Sequence, residues 1–161
     1  MSVRPQSASP PPEAEILAVI EAHKRLEGPL LPILHGLQEV FGYIPDTAQP
    51  LIAKALNITA AEVHGVVSFY HDFRRAPAGR HVLRICRAEA CQASGSNALS
   101  EAVLAKLGLD WGGTTPDGAV TVEPVYCLGL CACGPAAMID GRVVGRVDAA
   151  RVDALLAEVR A

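Results

Sequence analysis

No stretch of this 161-residue chain approaches the roughly 18 unbroken apolar residues of a membrane span. Its opening residues, from Met1 to Pro12, contain no apolar core of the kind that marks a secretory signal. No charge of one sign dominates either: 14 lysines and arginines face 17 acidic residues, for a net charge of −3. Nothing in that balance points to nucleic acid, and there is no acidic tail. A Gly-x-Gly-x-x-Gly dinucleotide fingerprint is missing, as is any C-x-x-C, and no paired carboxylates or Ser/His/Asp grouping stands out. Five cysteines, an odd count, argue against a secreted disulfide scaffold. With half its residues apolar, the chain reads as an ordinary globular protein of a reducing cytoplasm, without direct membrane insertion.

What is there is concentrated in two short segments. Cys86 and Cys91 are separated by four residues, Cys127 and Cys131 by three, and thirty-five residues lie between the pairs. Thiolates are soft anionic ligands, so four of them select an iron–sulfur cluster or zinc over magnesium or calcium. Zinc ribbons and thioredoxin-type dithiols favour C-x-x-C, whereas a C-x4-C loop suits a binuclear cluster, whose two irons span more space than one ion. Cys133 is the ambiguous fifth. It is an alternative to Cys131 as ligand, but C-x5-C lengthens the loop, so it is read as a small buried residue.

Residues 1–12, rich in Pro and Ser, read as a disordered leader. From Glu13 the apolar pattern turns helical. Ile16, Leu17 and Ile20 share one face before Gly28-Pro29, and Leu30, Leu34, Leu37 and Phe41 recur on a second helix closed by Gly42. A third helix opens after Pro45-Asp46-Thr47 and stops at Asn57. A fourth begins with a capping box, Thr59 with Glu62, flanked by an Ile58/Val63 staple, and is expected to run to about Phe73. Four short amphipathic helices over residues 13–75 make a small bundle. His23, His35, His64 and His71 fall there. His64 and His71 are seven apart, too far along one helix to share an ion, and packing or surface polarity is their expected role. Phe69-Tyr70 and Phe41-Gly42-Tyr43 are expected to pack in the core rather than to meet a partner.

Arg74 to Arg80 breaks the helical pattern and reads as a hinge. Beyond it, residues 76–161 change period. Val82–Cys86 is a strand, Gly95–Leu107 a helix, Ala119–Val125 a second strand; Ala137–Ile139 and Val143-Val144 flank an Asp140-Gly141 turn; and a last helix starts at Asp148. This is the order of a reduced thioredoxin-like α/β domain, making the whole chain an α+β protein. A helix between the first two strands makes them parallel, so Cys86, ending the first, and Cys127, just past the second, arrive at one rim. Gly129 and Gly134 allow positive φ and close approach, so that amides can point at sulfur. Arg84 and Arg87 either favour a reduced cluster or face solvent.

The pattern C-x4-C-x35-C-x3-C, preceded by Leu30-Leu-Pro-Ile-Leu34 and Gln38-Glu-Val-Phe-Gly-Tyr43, resembles the 24 kDa (NuoE-like) subunit family of NADH dehydrogenases, from about residue 14 onward. The resemblance implies a thioredoxin-like [2Fe-2S] ferredoxin with Cys86, Cys91, Cys127 and Cys131 as cluster ligands and Cys133 without a counterpart role. It also implies that FMN and NAD are held by a partner, a NuoF-like beta subunit. Within the family, Arg87-Ala-Glu-Ala-Cys91-Gln92 is most similar to the gamma subunit of NAD-dependent formate dehydrogenases, whose alpha subunit carries a molybdenum cofactor. Equivalent subunits occur in respiratory complex I and NAD-reducing hydrogenases. The expectation is an accessory electron-transfer subunit, non-catalytic alone, with the helical bundle as its docking domain. The rivals are a zinc-stabilised interaction module, a thiol redox enzyme, and a free-standing ferredoxin.

Overall fold

The computed structural model describes residues 10–159. Residues 1–9, most of the expected leader, lie outside them. The chain divides into two compact units, one ending at Pro77 and the next beginning at Ala78, against the expected boundary after residue 75.

The first unit contains helices α1 (Glu13–His23), α2 (Leu30–Phe41), α3 (Ala48–Leu56) and α4 (Ala60–Phe69). Their ends follow local chemistry. Gly42 takes φ 78° and its N–H returns to the Gln38 carbonyl, and Asn57 takes φ 54°. At the start of α4, the Thr59 hydroxyl accepts from the Glu62 N–H while the Glu62 carboxylate accepts from the Thr59 N–H at 2.7 Å, closing the capping box. That hydrogen bonding holds the Glu62 carboxyl below its ordinary range. Ile16, Ile20, Ile33, Leu34, Leu37, Ile52, Val63 and Val67 are buried together, with Ile58 packed on the cluster. Gly36 lets α1 and α2 approach, because a Cβ there would lie 2.8 Å from His23.

Two expectations fail here. Helix α4 stops at Phe69 rather than near Phe73, and Tyr70 is already extended. Gln38 on α2 explains what takes over: its side-chain amide donates to the Asp72 carbonyl and accepts from the Arg74 N–H, both at 2.7 Å, so the segment is tied as a loop. Phe69 is 73% exposed and Tyr70 is exposed too, so neither is core. Phe69 follows Val63 by six residues, about 240° round the helix, well off the buried Val63/Val67 face. Phe73 is the buried ring, edge-on to His35 and Tyr70.

The second unit runs β1 (His81–Cys86), α5 (Glu89–Ala93), α6 (Ser96–Leu107), β2 (Val120–Val125), a 3-10 turn (Cys131–Cys133), β3 (Ala137–Ile139), β4 (Arg142–Val144) and α7 (Ala149–Glu158). The sheet order is β2-β1-β3-β4. β1 and β2 are parallel, as the intervening helices require, with Cys86 beside Val125 in register; β3 is antiparallel to β1 and to β4. Pro124 is tolerated because β2 is an edge strand. Leu83, Ile85, Val120, Val122, Ile139, Val152 and Leu155 form the core between sheet and helices. Asp148 caps α7, its carboxylate accepting from the Arg151 N–H at 2.8 Å. Helix α5 is the element the periodicity misses: five residues are too few to show a repeat.

The end of β1 away from Cys86 is tied to the hairpin. Asp140, at φ 48°, accepts from the Val82 N–H at 2.9 Å and meets His81 Nδ1 at 2.7 Å. Partial burial pushes its carboxyl up, but the bonds from His81 and Val82 and the His81 charge outweigh it, leaving the carboxyl below the ordinary value of 3.8. A depressed folded-state value stabilises the fold above the unfolded value and loses that contribution as pH falls through the folded one. The stability difference between wild type and Asp140→Asn, from urea denaturation, should therefore change progressively as pH falls below 3.8. Asp148→Ala should cost about 1 kcal/mol in the same assay.

Candidate metal centre

The parallel pairing decides where the cysteines go. Cys86 is the last residue of β1, and Cys127 follows β2 by two residues at the same rim. Cys91 comes from α5, whose first turn is set by the Cys91 N–H donating to the Ala88 carbonyl. Cys131 opens the 3-10 turn. The four side chains sense one another. Burial raises the Cys91 thiol, with further increments from the Cys86 thiol and from charge on Cys86 and Cys131; the Cys131 thiol is raised by Cys127 first and also by Cys86. Cys127 and Cys131 Sγ lie 4.0 Å apart. Two thiolates on one tetrahedral ion with bonds near 2.3 Å stand about 3.8 Å apart, so this pair already has the span to share one metal. Among the described residues, no group of three or more Cys, His, Asp or Glu side chains is gathered tightly enough for a single ion. The donor set is two pairs of soft thiols at one rim, chemistry that suits an iron–sulfur group or zinc.

The pairs differ in environment. Cys86 and Cys91 are 1% and 2% exposed and pack with Ala136, while Cys127 and Cys131 are exposed. Tyr126, next to Cys127, is exposed as well. Burial raises the Cys91 thiol and the neighbouring Cys127 raises Cys131, so holding four thiolates together requires compensating positive charge, which a metal group supplies.

Backbone geometry at the second pair is specialised. Gly129, at φ 77°, turns its N–H onto Cys127 Sγ at 3.4 Å, the amide-to-sulfur contact expected there. Gly134 works differently from expectation: its φ is −68°, and what it supplies is space. A Cβ there would lie 3.2 Å from Ser94 Oγ and 3.5 Å from the Cα of Cys91. Cys127 itself has φ 121°, a conformation that costs a non-glycine residue about 1–3 kcal/mol and that no sequence pattern announced.

The arginines resolve into structural roles. Arg84 Nε pairs with Glu123 at 2.9 Å across the β1–β2 register. Arg87 lies over the Trp111 ring at 5.4 Å and donates to Asn97. Cys133 is half-buried rather than buried. Three of the four histidines of the first unit make local contacts: His23 with the Val19 carbonyl, His64 with Gln49, and His35 with Phe73. No helix among the described residues is long and apolar enough to cross a membrane.

Known proteins resemble this chain along most of its length. The chain is 36% identical over 144 residues to the NADP-reducing hydrogenase subunit HndA of Solidesulfovibrio fructosivorans, an alignment covering 89% of this chain and 84% of that one. It is 40% identical over 111 residues to a subunit of the NADH-quinone oxidoreductase of Pseudomonas aeruginosa, covering 69% and 67% respectively. Among solved structures, an NAD+-reducing [NiFe]-hydrogenase in its H2-reduced state aligns with 81% of this chain at 30% identity and a TM-score of 0.64. This chain spans 22% of that hydrogenase chain. Residues 16–160 match the family described as thioredoxin-like [2Fe-2S] ferredoxin. Two cysteine pairs at one rim of a β-α-β unit, in a chain matched along nearly its whole length, place this protein in the thioredoxin-like [2Fe-2S] ferredoxin family, NuoE-like subunits included.

Proposed function

We propose that the chain is an accessory electron-transfer subunit, with Cys86 and Cys91 holding one iron of a [2Fe-2S] cluster and Cys127 and Cys131 the other. The observation that carries this is the convergence of the four thiols as two pairs, one pair buried and one exposed. When bound, the cluster supplies one-electron chemistry. The chain's own residues bury one side of the site and leave the other open to a partner. They also aim the Gly129 N–H at sulfur, where a hydrogen bond favours added negative charge. In this reading the protein's part is holding, shielding and presenting the cluster.

The partner in this reading is an FMN- and NAD(H)-binding iron–sulfur subunit, NuoF-like, in the cytoplasm. Support comes from the relatives, whose names all couple a nicotinamide to a second redox reaction. The four helices of residues 13–75 act as a docking bundle, with residues 76–161 carrying the cluster. The finer assignment, to an NAD-dependent formate dehydrogenase with a molybdenum-containing alpha subunit, rests on the segment Arg87–Gln92 alone. The relatives compared above are hydrogenase and NADH-quinone oxidoreductase subunits.

An EPR spectrum of the dithionite-reduced chain, purified anaerobically, tests the reading. The expected result is a one-electron signal with about two irons and two acid-labile sulfides per chain. About one zinc with no sulfide and no signal would overturn it in favour of a structural tetrahedral site. For the ligands, Cys131→Ser should lose or perturb the signal and Cys133→Ser should leave it intact; the reverse would exchange their roles. Metal analysis of the complex recovered with the tagged chain separates the parent assemblies: molybdenum with formate-dependent NAD reduction is expected, and nickel with hydrogen-dependent reduction would replace that assignment.

A further inference from the structure

Cys133 is not one of the assigned ligands, yet its backbone is tied on both sides within the second ligand loop. Its N–H donates to the Leu130 carbonyl at 2.9 Å, closing the turn that carries Cys131. Its carbonyl accepts from the Arg146 N–H at 2.6 Å, and one step along, the Pro135 carbonyl accepts from the Val147 N–H at 2.9 Å. Residues 145–147 therefore lie along residues 133–135 as a strap with two rungs. The strap is itself held. Val147 is 2% exposed in the core of the second unit, and the next residue, Asp148, caps α7. On the far side of the loop, Gly134 faces Ser94 and the Cα of Cys91, and the Cys86 N–H donates to the Ala136 carbonyl at 2.9 Å. The loop bearing the exposed pair is thus wedged between the strap and the segment bearing the buried pair.

The contact that sets the wedge is at Gly145. A Cβ built there would stand 2.9 Å from Cys133 Cβ, 3.0 Å from the Cys133 carbonyl oxygen and 3.5 Å from Leu130 Cδ1. Packed neighbours this close must move by several tenths of an ångström, and one of them is backbone. Cys133 is the far end of the Cys131–Cys133 turn, so the displacement reaches Cys131 with no flexible side chain to absorb it. We infer that Gly145 is a positioning residue for the metal centre: by lacking a side chain, it lets the strap press Cys133 and so fixes where Cys131 stands relative to the buried pair. This rests on the ligand assignment above.

The experiment uses the full chain and reads the cluster rather than activity. In Gly145→Ala, the EPR principal g-values of the reduced chain should shift from wild type, and the chelator concentration that strips half the iron should fall by about 10-fold, as for other supports of metal ligands. Gly141→Ala is the control. Gly141 has φ 85° with nothing within 4 Å of a built Cβ, so that change should lower the thermal midpoint while leaving the g-values alone. In the Gly145→Ala background, Cys133→Gly removes the atom at 2.9 Å and should move the g-values back toward wild type, whereas Cys133→Ala keeps that atom and should not. Wild-type g-values and chelator resistance in Gly145→Ala would overturn the inference. If that variant does not fold, the two double variants decide: folding with near-wild-type g-values in the glycine double alone supports the inference, and failure or recovery of both overturns it. A wild-type chain without iron and sulfide would sink the ligand assignment, and this inference with it.

Discussion

The parallel pairing of β1 with β2 is the constraint on which the metal centre depends. A strand ending in Cys86 and a strand running out to Cys127 deliver both residues to one rim only if they point the same way, and a helical crossover between them makes that direction obligatory. Reversing either strand would leave the pairs at opposite ends of the sheet. The ion pair between Arg84 and Glu123 and the side-by-side placement of Cys86 and Val125 belong to the same register. A slip of one residue would turn Leu83 and Ile85 out of the core as well as moving Cys86, so hydrophobic burial and site geometry enforce the same alignment.

Bringing four thiols to one rim has an electrostatic cost that the fold leaves for the metal to offset. The thiols of Cys91 and Cys131 are both pushed up by their neighbours, one mainly by burial and one mainly by Cys127. The polypeptide answers with backbone amides, from Gly129 at Cys127 Sγ and from Ala136 at Cys91, while Arg84 and Arg87 are engaged with Glu123, Trp111 and Asn97. The reading in which Arg84 tunes the site fails because a strand partner opposite it carries a carboxylate, and register is invisible until the sheet is assembled.

Much of the architecture was legible where a single residue type leaves the chain little choice. Gly42 and Asn57 at positive φ, the Thr59/Glu62 box, the Asp140-Gly141 turn and the Asp148 cap all stand where their chemistry placed them. The cysteine pairs were legible for the same reason, since spacing and crossover topology together leave one rim for them. What was not legible depends on tertiary contact. Helix α5 is too short to carry a period; the end of α4 at Phe69 goes with the ties from Gln38 to Asp72 and Arg74; and Gly134 serves by volume rather than by φ. The φ of 121° at Cys127 is of this kind too, a conformation that only the surrounding loop imposes.

The unequal exposure of the two cysteine pairs has a bearing on durability. Cys86 and Cys91 sit under Ala136, whereas Cys127 and Cys131 open to the outside beside Tyr126. Electrons exchanged with a partner, and dioxygen or any scavenging ligand that would dismantle the centre, must then all approach through the same doorway. A surface that covers it for the first purpose closes it to the second. Assembly, on the proposed assignment, is therefore also what shelters the cofactor from air.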